Sequence, residues 1–243
     1  MVRVELRATF GTVAAQYDRA RPTYPAELFS DLRGLTEGDR LLEIGCGTGK
    51  ATTALLAAGF DVTCVELSEE LAAVARRNAP QAHVEVADVE QWEGGPFDVA
   101  AAFTAFHWLV DGYATAARLV RDGGWLAVVK TVHVLGDDRF FLDAQEDYDA
   151  VVPGPDNRPP PRPDEVEELP LEPPFELVAD RRYLREIEYT PDELIAVLGT
   201  YSNNIARPAA QRDELFRRLH ARASAQGTVR KLYVFALTLA RKG

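Results

Sequence analysis

Three glycines at alternate positions, Gly45, Gly47 and Gly49, separate the apolar run 41–44 from a helix-forming stretch, 51–58. That order predicts a strand, a tight loop and a helix start. Such a junction lets bare main chain approach a ligand, and the first amides of the helix point toward it. Two acids and a histidine follow at the ends of later β-rich runs: Glu66, Asp88 and His107. Glu66 falls about twenty residues beyond the glycines, where a βαβ unit places an acid able to accept from both hydroxyls of a ribose. Asp88 can accept from an exocyclic amine, with the Val89 amide beside it. His107 is the nearby group that titrates around neutral pH.

Other nucleotide loops fit less well. A Walker phosphate loop needs glycine at position 44 and Ser or Thr at 51, where this chain has Ile44 and Ala51. A dinucleotide fingerprint needs its third glycine at position 50, the place of Lys50.

The elements that must position these residues read as a doubly covered sheet. Run 61–65 is a second strand, and Ser68 can cap the helix that follows to about Asn78. Run 83–87 gives a third. Run 97–103 is almost wholly apolar, as expected where helices cover both faces, and it leads into Thr104-Ala105-Phe106-His107-Trp108. In a parallel sheet, ligands collect beyond the carboxyl ends of strands, so this segment should face the same crevice as Gly45 and Glu66. Asp111 can cap a helix to Val120; the turn 121–124 then leads into a long strand, 125–134. Residues 137–150 can be helical, and 151–174 is dense in prolines and acids, a loop or arm with no packed core. Residues 175–189 read as extended, Thr190 caps a helix ending near Gly199, and a charged amphipathic helix, 209–225, precedes the last strand, 228–240. The polar, aromatic tract 200–204, with Tyr201, can overhang the crevice. At the other end, a short helix over 11–17 precedes the proline-broken segment 18–25.

Composition sets the class. With 243 residues, 47% of them hydrophobic, the chain can fill one core. Its first residues show no signal peptide or spanning helix, so the expected location is cytoplasmic. A formal charge of -11 disfavours nucleic acid as a partner, and no membrane partner is expected. Cys46 and Cys64, the two cysteines, should be reduced thiols, and no metal site is expected.

The segments Y-D-R-A-R-P-T-Y-P, L-L-E-I-G-C-G-T-G, F-D-V, A-F-H-W and R-D-G-G-W-L-A, together with Glu66 and Asp88, resemble class I S-adenosylmethionine-dependent methyltransferases. The lead-in and the F-H-W segment resemble the small-molecule branch that includes trans-aconitate methyltransferase-like proteins. The resemblance implies an α/β, Rossmann-like, seven-stranded and mostly parallel sheet, helices on both faces, and an antiparallel last strand between the fifth and sixth. It implies one domain over 1–243, with a lead-in at 1–38 and an arm at 151–174. It also implies S-adenosylmethionine at Tyr17, Arg21, Glu43, Gly45, Cys46 and Gly47, and further at Thr48, Glu66, Leu67, Asp88, Val89 and Thr104. A small-molecule acceptor would meet His107, Trp108 and Tyr201, with His107 the candidate base. Residues 17–24 would form a lid, Arg21 its polar anchor and the Tyr17 ring facing the sulfonium. Two alternatives stay open: a catalytically silent cofactor-binding or interaction protein, and an NAD-dependent oxidoreductase disfavoured by Lys50.

Overall fold

In the computed structural model, which describes residues 18–154 and 158–243, seven strands form one sheet in the order β3-β2-β1-β4-β5-β7-β6. They are β1 (Arg40–Ile44), β2 (Asp61–Glu66), β3 (His83–Val86), β4 (Phe97–Phe103), β5 (Val120–Val134), β6 (Phe175–Tyr189) and β7 (Val229–Lys242). β1 to β5 pair in parallel. β7 lies antiparallel between β5 and β6, as expected. β1 has β2 on one side and β4 on the other, so the strand order reverses there and opens a crevice at the carboxyl ends.

Helices cover both faces: α1 (Ala26–Leu35), α2 (Lys50–Ala57), α3 (Glu69–Asn78), α4 (Gly112–Leu119), α5 (Phe140–Asp143), α6 (Gln145–Val151), α7 (Pro191–Leu198), α8 (Ser202–Ile205) and α9 (Ala209–Gln226). Side chains alternate across the strands, so the sheet divides the core. Leu41, Val99 and Ala127 face a cluster with Leu28, Leu55 and Leu219. Leu42, Ala100 and Leu126 face another with Ala116 and Leu119. Among the described residues no helix is long and apolar enough to cross a membrane.

Ser68 caps α3 by accepting from the Leu71 amide at 3.3 Å. Thr190 caps α7 in a reciprocal box with Glu193. Asp111 does not cap α4 through its side chain. Instead Glu90 accepts from the Val110 and Asp111 amides, each at 2.8 Å, and so fixes the start of that helix from the loop after β3. Residues 121–124 belong to β5 and make no turn before it. A register shift opposite Phe97–Val99 absorbs them, while Asp98 accepts from Arg121 Nε at 2.7 Å. The 137–150 region divides into α5 and α6. The 151–174 arm does contribute to packing, since Val166 is buried with Val134, Val234 and Ala236. The short helix expected over 11–17, and Tyr17 itself, lie outside the described residues.

Candidate active site

The strand-to-helix junction has the shape its glycines require. Gly47, at φ 59°, has nothing within 4 Å of the place a Cβ would take. Gly49, at φ 84°, would bring a Cβ within 3.2 Å of Ala75 Cα on α3. Gly49 therefore permits the close helix contact, and Lys50 can occupy the next position. Two neighbours hold the loop: Asn78 Nδ2 donates to the Thr48 carbonyl at 2.8 Å, and Glu66 Oε2 accepts from the Gly47 amide at 2.9 Å. The other carboxylate oxygen of Glu66 accepts from the Ser68 amide at 3.0 Å.

A cavity of about 470 Å³ opens at this junction, within the range of small-molecule sites. At one end it is lined by Glu43, the loop 45–48, Lys50, Glu66, Leu67 and Val89. Glu43 is fully buried; Thr52 donates to it at 2.6 Å and the Cys64 thiol at 3.6 Å. Burial pushes its carboxyl up to about 7, against those hydrogen bonds. Cys46 and Cys64 are both buried free thiols, and a hydrogen bond between them and burial push the Cys46 thiol up. Asp88 does not line the cavity; its Oδ1 accepts from the Glu90 amide at 3.1 Å, and Ala87 and Val89 form the wall on either side.

The middle of the cavity is the exit of β4. Thr104 adopts φ 57°, which is strained for a β-branched residue. Its amide donates to the Val129 carbonyl at 2.7 Å, and its hydroxyl meets Thr131 at 3.1 Å and Tyr24 at 3.4 Å. This tight corner turns 105–108 over the cavity, where exposed His107 lies 4.8 Å from the Trp108 ring.

At the far end, Arg21, Pro22 and Tyr24 from the lead-in meet Tyr201, Thr131 and His133 of β5, and Tyr233 of β7. Arg21 donates to the Thr200 hydroxyl at 2.8 Å and carbonyl at 2.9 Å, and its guanidinium lies 4.2 Å from the Tyr201 ring centre. Tyr24 packs edge-on against Phe103 and Phe235, so this part of the lead-in is seated on the sheet. Burial, then the Lys231 charge, hold the His133 imidazole neutral by lowering it to about 2. The structure thus brings Arg21, Glu43, the glycine loop, Glu66, Leu67, Val89, Thr104, His107, Trp108 and Tyr201 around one space. Thr131, His133, Tyr233 and the Lys231 behind them were not legible as site residues. The signal in the sequence was Lys231 and Tyr233 at alternate positions of β7, on the side of the strand that is buried.

The residues fit a nucleoside sulfonium. Thr48 Oγ1 is buried without a hydrogen-bond partner among the described residues, so a polar ligand group can satisfy it. Gly47 leaves room for close approach, and two buried carboxyls suit a cation.

Residues 42–128 match the methyltransferase domain family. That stretch is similar to methyltransferase domains, whose methyl donor is S-adenosylmethionine, and the sheet around it has the class I fold. Among solved structures, it is similar to a candidate type II methyltransferase from Anaeromyxobacter dehalogenans, at 27% identity and TM-score 0.65, covering 91% of this chain and 97% of that one. It is also 33% identical over 131 residues to an uncharacterized methyltransferase of Mycobacterium tuberculosis, covering 52% of this chain and 54% of the relative. A more distant likeness, 29% over 120 residues, is to a trans-aconitate 2-methyltransferase of Delftia acidovorans, covering 46% of this chain and 44% of that one. The chain spans about half the length of the curated relatives it matches.

Proposed function

We propose that this protein transfers the methyl group of S-adenosylmethionine to a small-molecule acceptor. The observation that carries this reading is one cavity with two unlike ends: a glycine loop with buried acids at one, and phenols and a guanidinium at the other. On it, Glu66 accepts from the ribose hydroxyls, and Leu67 and Val89 flank the adenine. Asp88, already holding the Glu90 amide, accepts the exocyclic amine at the rim. Glu43, Cys46 and Thr48 face the methionyl part. Thr104, in its strained corner, bounds the reacting centre.

The sulfonium makes its own methyl group electrophilic. The protein's part is to hold the nucleophile in line and to exclude water. His107 and Trp108 contact the acceptor, and Arg21 with the rest of 18–24 closes over the cavity as a lid. The trans-aconitate methyltransferase-like branch, supported by the lead-in, the F-H-W segment and the Delftia relative, is our placement within the superfamily. The expected location is cytoplasmic.

Calorimetric titration tests the donor: S-adenosylmethionine and S-adenosylhomocysteine should bind, and NADH should not bind comparably. Incubation with methyl-labelled S-adenosylmethionine and a metabolite extract should label a small product. Binding without any labelled product would favour the silent alternative; preferential NADH binding would defeat the reading.

A further inference from the structure

Behind the acceptor end lies a cation with an unusual environment. Lys231 of β7 is fully buried, and among the described residues no carboxylate pairs with it. Its ammonium donates to the Tyr201 hydroxyl at 2.9 Å. The rings of Tyr201, Phe141 and Tyr233 surround it at 4.7, 5.2 and 5.3 Å. A buried charge without an opposite charge is costly unless a neighbour can supply one. The Tyr201 phenol is the group placed to do so, and Tyr201 is among the residues that line the cavity. The same oxygen lies 3.2 Å from the Tyr233 hydroxyl, which lies 3.2 Å from that of Tyr189.

We propose that Tyr201, hydrogen-bonded to Lys231, is the base of this site, taking the proton from an acidic hydroxyl of the acceptor, phenolic or enolic, as that oxygen is methylated. This rests on the methyl-transfer reading above. The acceptor O–H bond breaks and its proton goes to the Tyr201 oxygen. The acceptor oxygen forms its bond to the methyl carbon as the carbon–sulfur bond breaks, leaving the electron pair on sulfur. Tyr201 returns the proton to solvent after product leaves. Lys231 acts through Tyr201 and is a positioning residue.

The acidity of the acceptor follows from the base. Transfer between two phenol-like oxygens is nearly balanced, whereas an ordinary alcohol would hold its proton too tightly for a phenolate to remove. The surroundings favour the anion. Facing Tyr201 are Arg21 from the lead-in, Lys231 and Tyr233 on β7, Tyr189 on β6 and Tyr148 on α6, with neutral His133 of β5 next to Tyr233 and Lys231. Burial alone would push the Tyr201 phenol up; the charges of Lys231 and Arg21 and the hydrogen bond from Lys231 outweigh it and hold the phenol below its ordinary range. Burial likewise lowers Lys231, and burial raises Tyr233, so the negative charge belongs on Tyr201.

The test needs no acceptor. Tyrosinate has its own near-ultraviolet absorbance, and the full chain with S-adenosylhomocysteine bound can be titrated by it. One of the eight tyrosines should ionise below the ordinary value of about 10. That step should vanish in Tyr201→Phe and move up by about one pH unit or more in Lys231→Met, whose buried methionine is an apolar stand-in for the charge. Unchanged S-adenosylhomocysteine affinity in both variants shows that the donor site and fold persist. Identical titrations in wild type and Tyr201→Phe would overturn the proposal while leaving the methyl-transfer reading standing. The labelled product provides a second test: an alkali-stable methyl ether supports the proposal, and an alkali-labile methyl ester, which needs no base, overturns it.

Discussion

Glu66 Oε2 accepts the Gly47 amide at 2.9 Å, so the acid at the tip of β2 also fixes the loop at the tip of β1. Two neighbouring parallel strands thereby share one polar contact at the mouth of the cavity. Because the carboxylate both shapes the loop and faces the ligand space, its loss acts twice.

Glu66→Ala should weaken S-adenosylhomocysteine binding by about 1.5 to 3 kcal/mol, the range for hydrogen bonds to a charged group. Titration calorimetry on the folded variant measures it directly. A dissociation constant equal to wild type would remove the ribose assignment.

The two glycines of the loop separate binding from stability. Gly47→Ala places its methyl in open space, so folding bears only left-handed strain, about 1 to 2 kcal/mol. Ligand affinity should fall by more than that strain explains. Gly49→Ala adds a contact at 3.2 Å to backbone of α3, so its thermal stability should drop further than that of Gly47→Ala. Equal melting temperatures for the two would contradict the packing described for α2 on α3.

Glu43 gives a pH dependence of defined sign. Its carboxyl rises from an ordinary 4.5 to about 7 on folding. Between those values the folded chain keeps a proton that the unfolded chain has lost, so stability falls as pH rises through the window and levels off above it. Across the whole window the contribution is on the order of 3 kcal/mol. Glu43→Gln, which can still accept from Thr52, should flatten this part of the profile in urea denaturation. Parallel wild-type and variant profiles between pH 4.5 and 7 would show that Glu43 does not carry it.

The glycine-loop end of the cavity was legible because it is local. Strand, glycines, helix, then an acid at the next strand end form a pattern inside one βαβ unit, and each residue needs only its own element to be placed. Ser68 and Thr190 were legible as caps for the same reason. Asp111 was not, because a competing acid, Glu90, arrives from another loop. The opposite end of the cavity depends on register. His133 stands opposite Tyr233 only because β7 runs antiparallel beside β5, and Tyr201 reaches Lys231 through a corner after α7. No spacing along the chain encodes those meetings.

The methyltransferase-domain match ends at residue 128, inside β5. One residue later, the Val129 carbonyl receives the Thr104 amide. On the reading proposed above, nearly everything that holds the donor precedes that point, and Thr131, His133, Tyr201, Lys231 and Tyr233 follow it. On that reading β5 is the boundary between the part that holds the donor and the part that shapes the acceptor end. A graft exchanging the chain after it could bring a new acceptor to an unchanged donor site, provided that the incoming β7 keeps its pairing with β5 and Arg21 still finds a Thr200 to hold.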